Sequence, residues 1–250
     1  MPPAATLPAG TRVYAVGDVH GRADLFAALT AAIDADDAAR GPADTTVILL
    51  GDLIDRGPDS AGVIRQARAW GAERKVRLLI GNHEEMLLDS LTSEDVLRPF
   101  LRHGGRETLL SYPIDPTAYA AASLAEVQEL MRQAIPAEDL AYLAGGENMI
   151  ALGDYLFVHA GIRPEVPLED QQVADLRWIR EPFIGWPDSF GPIVVHGHTI
   201  FDEARIGHNR ISIDTGAYHS GRLTALGLEG GQGWLIGTKD NDGTVRVSQR

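Results

Sequence analysis

Six short apolar runs rich in β-branched residues each stop at a cluster that pairs glycine with a metal-capable side chain. This punctuation constrains the chain more than any other feature. Val13–Val16 precedes Gly17-Asp18-Val19-His20-Gly21, and Val47–Leu50 precedes Gly51-Asp52-Leu53-Ile54-Asp55-Arg56-Gly57. Val76–Ile80 precedes Gly81-Asn82-His83-Glu84, Tyr155–Val158 precedes His159-Ala160-Gly161, Ile193–Val195 precedes His196-Gly197-His198-Thr199, and Ile211–Ile213 precedes Asp214-Thr215-Gly216. Runs of this length and composition read as strands. Between the first three lie two helical stretches: Ala23 to Ala39, with Leu25, Leu29 and Ile33 on one stripe, and Ser60 to Trp70 after the start signal Pro58-Asp59. The βαβα order predicts strands covered by helices, with ligands bound beyond the carboxyl ends of the strands. The clusters sit at those ends.

Residues 84–150 read differently. Helical pieces at Glu84–Leu91, Ser93–Leu101, Leu124–Ala134 and Ala137–Leu143 are broken by Gly104-Gly105, Pro113 and Pro116. They predict a helical insertion within a single domain spanning 1–250, a length near the upper end of what one core organises. After Thr199 come hairpin signals: Leu223–Leu226, Trp234–Ile236, and Thr244–Val247 behind the turn Asn241-Asp242-Gly243. These predict a second, mixed or antiparallel sheet.

Composition narrows the chemistry. Twenty-two basic against 35 acidic residues give a net charge of −13, which disfavours non-specific binding to nucleic acid or an anionic membrane. The absence of cysteine excludes disulfides, thiolate metal sites and cysteine nucleophiles. Met1 to Gly10 lacks a basic segment followed by an apolar one, and no run approaches the ~20 apolar residues that span a bilayer. The expectation is a cytoplasmic protein.

Asp18, His20, Asp52, Asn82, His159 and His198 together offer carboxylate, amide and imidazole donors without sulfur. That set suits two divalent ions, Mn first, with Fe or Zn as alternatives, and a carboxylate such as Asp52 can bridge them. Two ions ~3.5 to 4 Å apart acidify a shared water and neutralise a phosphoryl group during in-line displacement. If Asp18-Val19-His20 is extended, its first and third side chains share a face and reach one ion. Arg56 is the residue type that grips phosphate bidentately.

The ordered set Gly-Asp-x-His-Gly, Gly-Asp-x-x-Asp-Arg-Gly, Gly-Asn-His-Glu, His-Ala-Gly and Gly-His-Thr, spanning Gly17 to Thr199, resembles the calcineurin-like metallophosphoesterase superfamily, in particular its bacterial phosphoprotein phosphatase branch. The resemblance implies an α/β/β/α fold, a two-sheet β-sandwich flanked by helices. It implies Asp18, His20 and Asp52 on one metal ion, and Asp52, Asn82, His159 and His198 on the other. It further implies His83 as general acid paired with Asp55, and Arg56 with a second arginine on the phosphate. For that arginine Arg180, in Trp178-Ile179-Arg180-Glu181-Pro182-Phe183, is the first choice and Arg163 the second. A carboxylate beside His83 is expected to raise its pKa and keep its proton available.

Each cluster alone reads as an ordinary turn; the conjunction favours a metal site. His196 is read as a core or supporting histidine, and His103, His208 and His219 as loop residues, with Tyr218-His219 expected to border the cleft. Arg102, Arg106 and Arg205 read as solvated. Glu84 and Glu85 need no more than the favourable field at a helix N-terminus. Trp70, Trp178, Trp186 and Trp234 read as core or cleft wall.

The expected function is metal-dependent hydrolysis of a phosphomonoester on phosphoserine or phosphothreonine, with phosphotyrosine also open, by direct attack of a hydroxide shared by the two ions. A symmetrical dinucleoside tetraphosphate hydrolase is the nearest alternative, since it shares the motif set. A scaffold that kept the fold is disfavoured because every ligand and His83 are present. A nucleic-acid phosphodiesterase is disfavoured by the charge and by Ile200, where a further histidine commonly stands. The partners expected are therefore a phosphorylated protein or small phosphoester; oligomeric state is left open.

Overall fold

The first two motif clusters follow strands that lie side by side: β1 (Thr11–Val16) and β2 (Asp44–Leu49) pair in parallel, Val13 opposite Thr46 and Val16 opposite Leu49. Both come from a computed structural model that describes residues 5–249; the Pro- and Ala-rich start at 1–4 and Arg250 lie outside the described residues. Helix α1 (Ala23–Arg40) connects β1 to β2, and α2 (Ser60–Glu73) connects β2 to β3 (Val76–Leu78), which pairs in parallel with β2. The apolar stripe of α1 buries Leu25, Phe26, Leu29 and Ile33, and the helix ends at Gly41, whose φ of 82° suits glycine. On α2, Asp59 caps the helix by accepting the Gly62 N–H at 2.7 Å.

The segment after β3 is helical as expected. It comprises α3 (Asn82–Ser90), α4 (Glu94–Phe100), α5 (Arg106–Ser111), α6 (Pro116–Ala121), α7 (Leu124–Ala134) and α8 (Ala137–Ala144), with a single π-turn at Leu101–Gly105. Leu97, Phe100, Leu109, Val127, Met131 and Leu143 join the same buried cluster as Tyr14, Val16, Leu29 and Val47. The insertion thus thickens the helical side of the first sheet.

The remaining strands are β4 (Met149–Leu152), β5 (Tyr155–Val158), β6 (Ile193–His196), β7 (Arg205–Ile206), β8 (Arg210–Ser212), β9 (Arg222–Glu229), β10 (Gln232–Asn241) and β11 (Thr244–Gln249), with α9 (Val173–Trp178) and the short α10 (Ala217–Ser220) between them. One sheet has the order β11-β10-β9-β1-β2-β3 and the other β4-β5-β6-β8-β7. The C-terminal hairpins therefore do not form a second sheet. They extend the first, because β9 pairs antiparallel with β1, Val16 opposite Ala225. The second sheet is built instead around β5, β6 and β8, the strands that carry the later motif clusters, plus β4 and β7, which the sequence reading did not contain.

Helices cover only one face of the first sheet. Alternation along β1 shows why Val13–Val16 are all apolar: Tyr14 and Val16 face the helices, whereas Val13 and Ala15 face the second sheet beside Phe157, Val195, Ile211 and Leu226. On the outer face of the second sheet, Leu156, Val158 and Val194 pack under Leu176, Ile179 and Phe183. The layers are helix, sheet, sheet, helix, the α/β/β/α arrangement expected. This stacking brings the carboxyl ends of β1, β2, β5 and β6 to one edge.

Candidate metal centre and cleft

Asp18, His20, Asp52, Asp55, Asn82, His83, His159 and His198 converge at that edge, and none is more than 8% exposed. Buried polar groups need partners, and here one is missing, at His198 Nε2, and several acceptors face one another. The His159 Nδ1–H donates to the Leu50 carbonyl at 2.8 Å, and burial pushes this imidazole down to about 4, so at neutral pH Nε2 is a bare lone pair. That lone pair faces Asn82 Oδ1 at 3.0 Å and Asp52 Oδ1 at 3.4 Å. Three acceptors within contact distance repel unless a cation lies among them. His198, pushed by burial down to about 2, presents Nδ1 to the same Asn82 oxygen at 2.8 Å, and its buried Nε2 has no partner. This donor set fits a borderline divalent ion.

A second group forms around His20. Its Nδ1–H donates to the Ile54 carbonyl at 2.7 Å, which fixes the tautomer and leaves the Nε2 lone pair available to a cation, 3.6 Å from Asp52 Oδ2. The potential ligand atoms of His20, Asp52 and His83 lie within 4.8 Å of one another, as do those of Asp52, His159 and His198. Asp52 belongs to both groups, the position a bridging carboxylate occupies. Asp18 stands outside these two triads. Its carboxylate accepts the His198 backbone N–H at 3.0 Å and is held well above the usual carboxylate range by burial and by Asp214 and Asp52.

The local backbone is unusual. Among the described residues, seven non-glycine residues have positive φ, and five of them are His20, Asp52, Asp55, Arg56 and His198. Each costs about 1–2 kcal/mol relative to right-handed backbone, so their concentration at one place marks a site where geometry outweighs stability. It also corrects the expectation of an extended Asp18-Val19-His20: the φ of 45° at His20 turns its ring in a way simple alternation does not. Glycines allow the close approaches. A Cβ on Gly197 would collide with Asp18 Oδ1, and one on Gly104 would collide with the backbone of Arg56.

Asp55 and His83 form a fully buried pair, Nδ1 to Oδ2 at 2.6 Å. Thr108, from α5 of the insertion, donates to Asp55 Oδ1 at 2.6 Å and accepts the Asp55 backbone N–H at 2.8 Å. The net shift of His83 is downward, contrary to the sequence expectation, because burial outweighs the attraction of nearby carboxylates. Arg56 spans the two rings, with Nη1 3.1 Å from His20 Nε2 and Nη2 2.9 Å from His83 Nε2, and its guanidinium lies 4.9 Å from the Tyr218 ring centre.

Arg180 and Arg56 both line a cleft of about 390 Å³, together with Met86, Trp178, Ile200 and Tyr218. Arg163 is instead tied to Asp175 by contacts of 2.7 and 2.8 Å, away from this cleft. His196 is a core histidine that accepts from Ser212 Oγ at 2.6 Å. His103 lines the cleft from the π-turn, a position that its loop-like sequence context did not signal.

Two acidic residues do more than a helix-end field accounts for. Glu84 is fully buried and accepts three backbone N–H groups, from Asp52 and Leu53 at 2.8 Å each and from Gly81 at 2.9 Å, clamping the loop that bears Asp52. Glu85 accepts from Arg177 Nη1 at 2.9 Å and from the Trp178 indole, which sets that half-exposed ring on the cleft wall. Asp214 was also unassigned by the motif reading, although it follows a strand and precedes Thr215-Gly216 in the same way as the other clusters.

The chain belongs to the calcineurin-like phosphoesterase family, which residues 11–220 match. The family uses pairs of divalent metals. A symmetrical bis(5'-nucleosyl)-tetraphosphatase from Acidovorax ebreus (strain TPSY) is 34% identical over 158 residues, covering 63% of this chain and 47% of the relative. The matched region thus spans about half the length of that curated relative. A solved structure of a candidate diadenosine tetraphosphatase aligns over 100% of this chain and 96% of its own, with a TM-score of 0.62 and 20% identity. The cold-active protein-tyrosine phosphatase of a psychrophilic Shewanella aligns over 97% and 83%, with a TM-score of 0.55 and 21% identity. At these identities the two structures establish a shared fold. Among the described residues, no helix is long and apolar enough to cross a membrane.

Proposed function

We propose that this chain hydrolyses phosphomonoesters on protein side chains, phosphoserine and phosphothreonine first. The observation that carries the reading is the placement of one proton-carrying pair, Asp55–His83, directly beside one phosphate-gripping arginine, with His83 Nε2 2.9 Å from Arg56 Nη2. A phosphoryl group held by Arg56 lies next to the atom that can protonate its leaving oxygen. An alkoxide, the most basic leaving group in question, needs that proton most.

In this reading Asp18, His20 and Asp52 hold one metal ion, and Asp52, Asn82, His159 and His198 hold the other, Mn²⁺ being the ion that suits oxygen and imidazole donors. Bound there, the ions supply an acidified water as nucleophile and neutralise phosphoryl charge. The protein residues do the rest. Arg56 binds one edge of the phosphoryl group, and Arg180, which among the described residues has no carboxylate partner, closes on another edge. Burial keeps His83 neutral at rest, but an arriving phosphate dianion beside Nε2 favours the imidazolium. Asp55 accepts the Nδ1–H throughout, so the acquired proton sits on Nε2, facing the leaving oxygen.

A second reading, symmetrical cleavage of a dinucleoside tetraphosphate, is favoured by the name of the Acidovorax relative and by the exposed Trp178 ring, on which a base can stack. The test is reconstitution with Mn²⁺, followed by measurement of phosphate release from phosphopeptides and of diadenosine tetraphosphate cleavage. The expected result is turnover of the phosphopeptides; activity confined to the dinucleotide overturns the first reading.

A further inference from the structure

The buried carboxylates of the site outnumber those the proposed ligand set uses. Asp214 is 1% exposed, at the carboxyl end of β8, and its one backbone donor is the Gly216 N–H at 2.9 Å. Its carboxylate lies against that of Asp18, whose own donor is the His198 N–H at 3.0 Å. The approach is built into the backbone: β1 is followed at once by Gly17, where any Cβ would lie 2.5 Å from the Ile213 carbonyl oxygen, so only glycine lets the Asp18 and Asp214 loops come this close. Asp52 adds a third carboxylate, accepting the His83 N–H at 3.1 Å.

Three carboxylates buried close together, each with one backbone donor, repel one another in a dry interior unless a cation offsets their charge. Arg56 supplies one compensating positive charge, and its guanidinium is directed at the His20 and His83 rings. The nearest further sign of a cation is His198: it offers its amide to Asp18, is 8% exposed, and leaves Nε2 buried without a partner. Two divalent ions carry four positive charges, and Asp18 with Asp52 answers only half of that.

We propose that Asp214 is a seventh metal-site residue, pairing with Asp18 to form a two-carboxylate wing that holds the first ion. The inference rests on the dinuclear reading and adds to it a residue outside the motif set. Asp214 adds negative charge beside Asp18 and holds that side chain in the orientation the ion needs, so its removal weakens one ion selectively.

The test compares wild type, Asp214→Asn and His159→Asn, each stripped with chelator and titrated with Mn²⁺ by calorimetry, with bound metal counted after dialysis. Asp214→Asn keeps the side-chain volume, and its circular dichroism and melting in chelator report whether the fold survives. The expected result is two ions bound by wild type, at least tenfold weaker binding of one ion in Asp214→Asn, and weakening of the other ion in His159→Asn. Asp214→Glu, which restores charge with a longer reach, should recover part of the lost affinity. Two wild-type affinities in Asp214→Asn overturn the proposal, as does equal weakening of both ions. Failure of wild type to bind two ions would instead overturn the dinuclear reading beneath it. Should Asp214→Asn not fold, Thr215→Val, adjacent but outside the carboxylate pair, becomes the control: loss of folding there too assigns the segment a structural role and overturns the proposal.

Discussion

The two ends of β1 solve opposite problems. At its start Arg12, 1% exposed, has its guanidinium surrounded by acceptors: Glu229 at 3.0 Å through two oxygens, Asp37 Oδ1 at 2.7 Å, and the carbonyls of Asp37 and Gly41 at 3.1 Å. Nearby, Asp36 accepts from Tyr14, Arg40, Trp234 and Gln249. Two residues past its far end, Asp18 shares a buried space with Asp214, with one backbone donor each. A buried charge is tolerable when the protein pairs it, and is otherwise a request for a ligand. The first end contributes to stability, whereas the second gathers charge that, on the proposed reading, a metal would offset.

The sharpest way to break this contrast is to remove the metal. Stripping with chelator should abolish hydrolysis, and Mn²⁺ should restore it while stabilising the fold by about 2.7 kcal/mol per site at a hundredfold excess over Kd, read as a rise in Tm. An unchanged Tm would mean that the second end is not strained by its own charges. Next in size, Asp52→Asn or His83→Asn should reduce kcat by about 10²- to 10⁴-fold with unaltered circular dichroism, since they remove the bridging carboxylate or the proton donor. Near-normal rates in either variant would refute its assigned role.

At the other end, Arg12→Met should cost about 3 kcal/mol of stability, the lower part of the range for breaking a buried pair, because Glu229 remains partly exposed. Its kcat should be unchanged once the protein is folded; a large loss of kcat at constant structure would erase the division between the two ends. A smaller effect concerns pH. Burial alone would raise Asp36 and Asp37, but donation from Arg40 and Tyr14 to the first, and from Arg12, Thr45 and Arg74 to the second, brings both below the ordinary value. A depressed folded pKa contributes stability that is complete above the unfolded value, about 4, and is lost as pH falls through the folded one. Urea midpoints of the metal-free protein should therefore fall below about pH 4, and Arg12→Met should lose part of that slope. Smallest, Trp178→Ala should raise KM by about 3- to 10-fold if a substrate ring or side chain packs on the indole, with kcat within about twofold.

The residues that converge at the candidate centre were legible as a group because each sits within a few residues of the strand end that aims it, so a local pattern in sequence carries a local geometry. Contacts that cross the chain were not. Nothing around Thr108 announces that it reaches Asp55, 53 residues away, and Glu84 reads as a helix-start residue until the loop it clamps is seen in place. The hairpins after residue 220 were recognised as strands, yet their sheet was misassigned, since the turn chemistry fixes β10 on β9 and β11 on β10 but says nothing of β9 on β1. Edge strand β7 has only two residues, Arg205 and Ile206, too short to show any period. His83 was expected above its usual pKa because the carboxylate is visible in sequence and the burial is not.

The hydroxyl of Thr108 and the carbonyl of Gly104 both belong to the insertion, and both grip the Asp55–Arg56 turn, the latter by accepting the Arg56 N–H at 3.2 Å. Anyone grafting a relative's insertion onto this scaffold to alter selectivity would thereby also exchange the tether of the turn that carries the proposed acid–base pair. In such chimeras, recognition and proton delivery are inherited as a package.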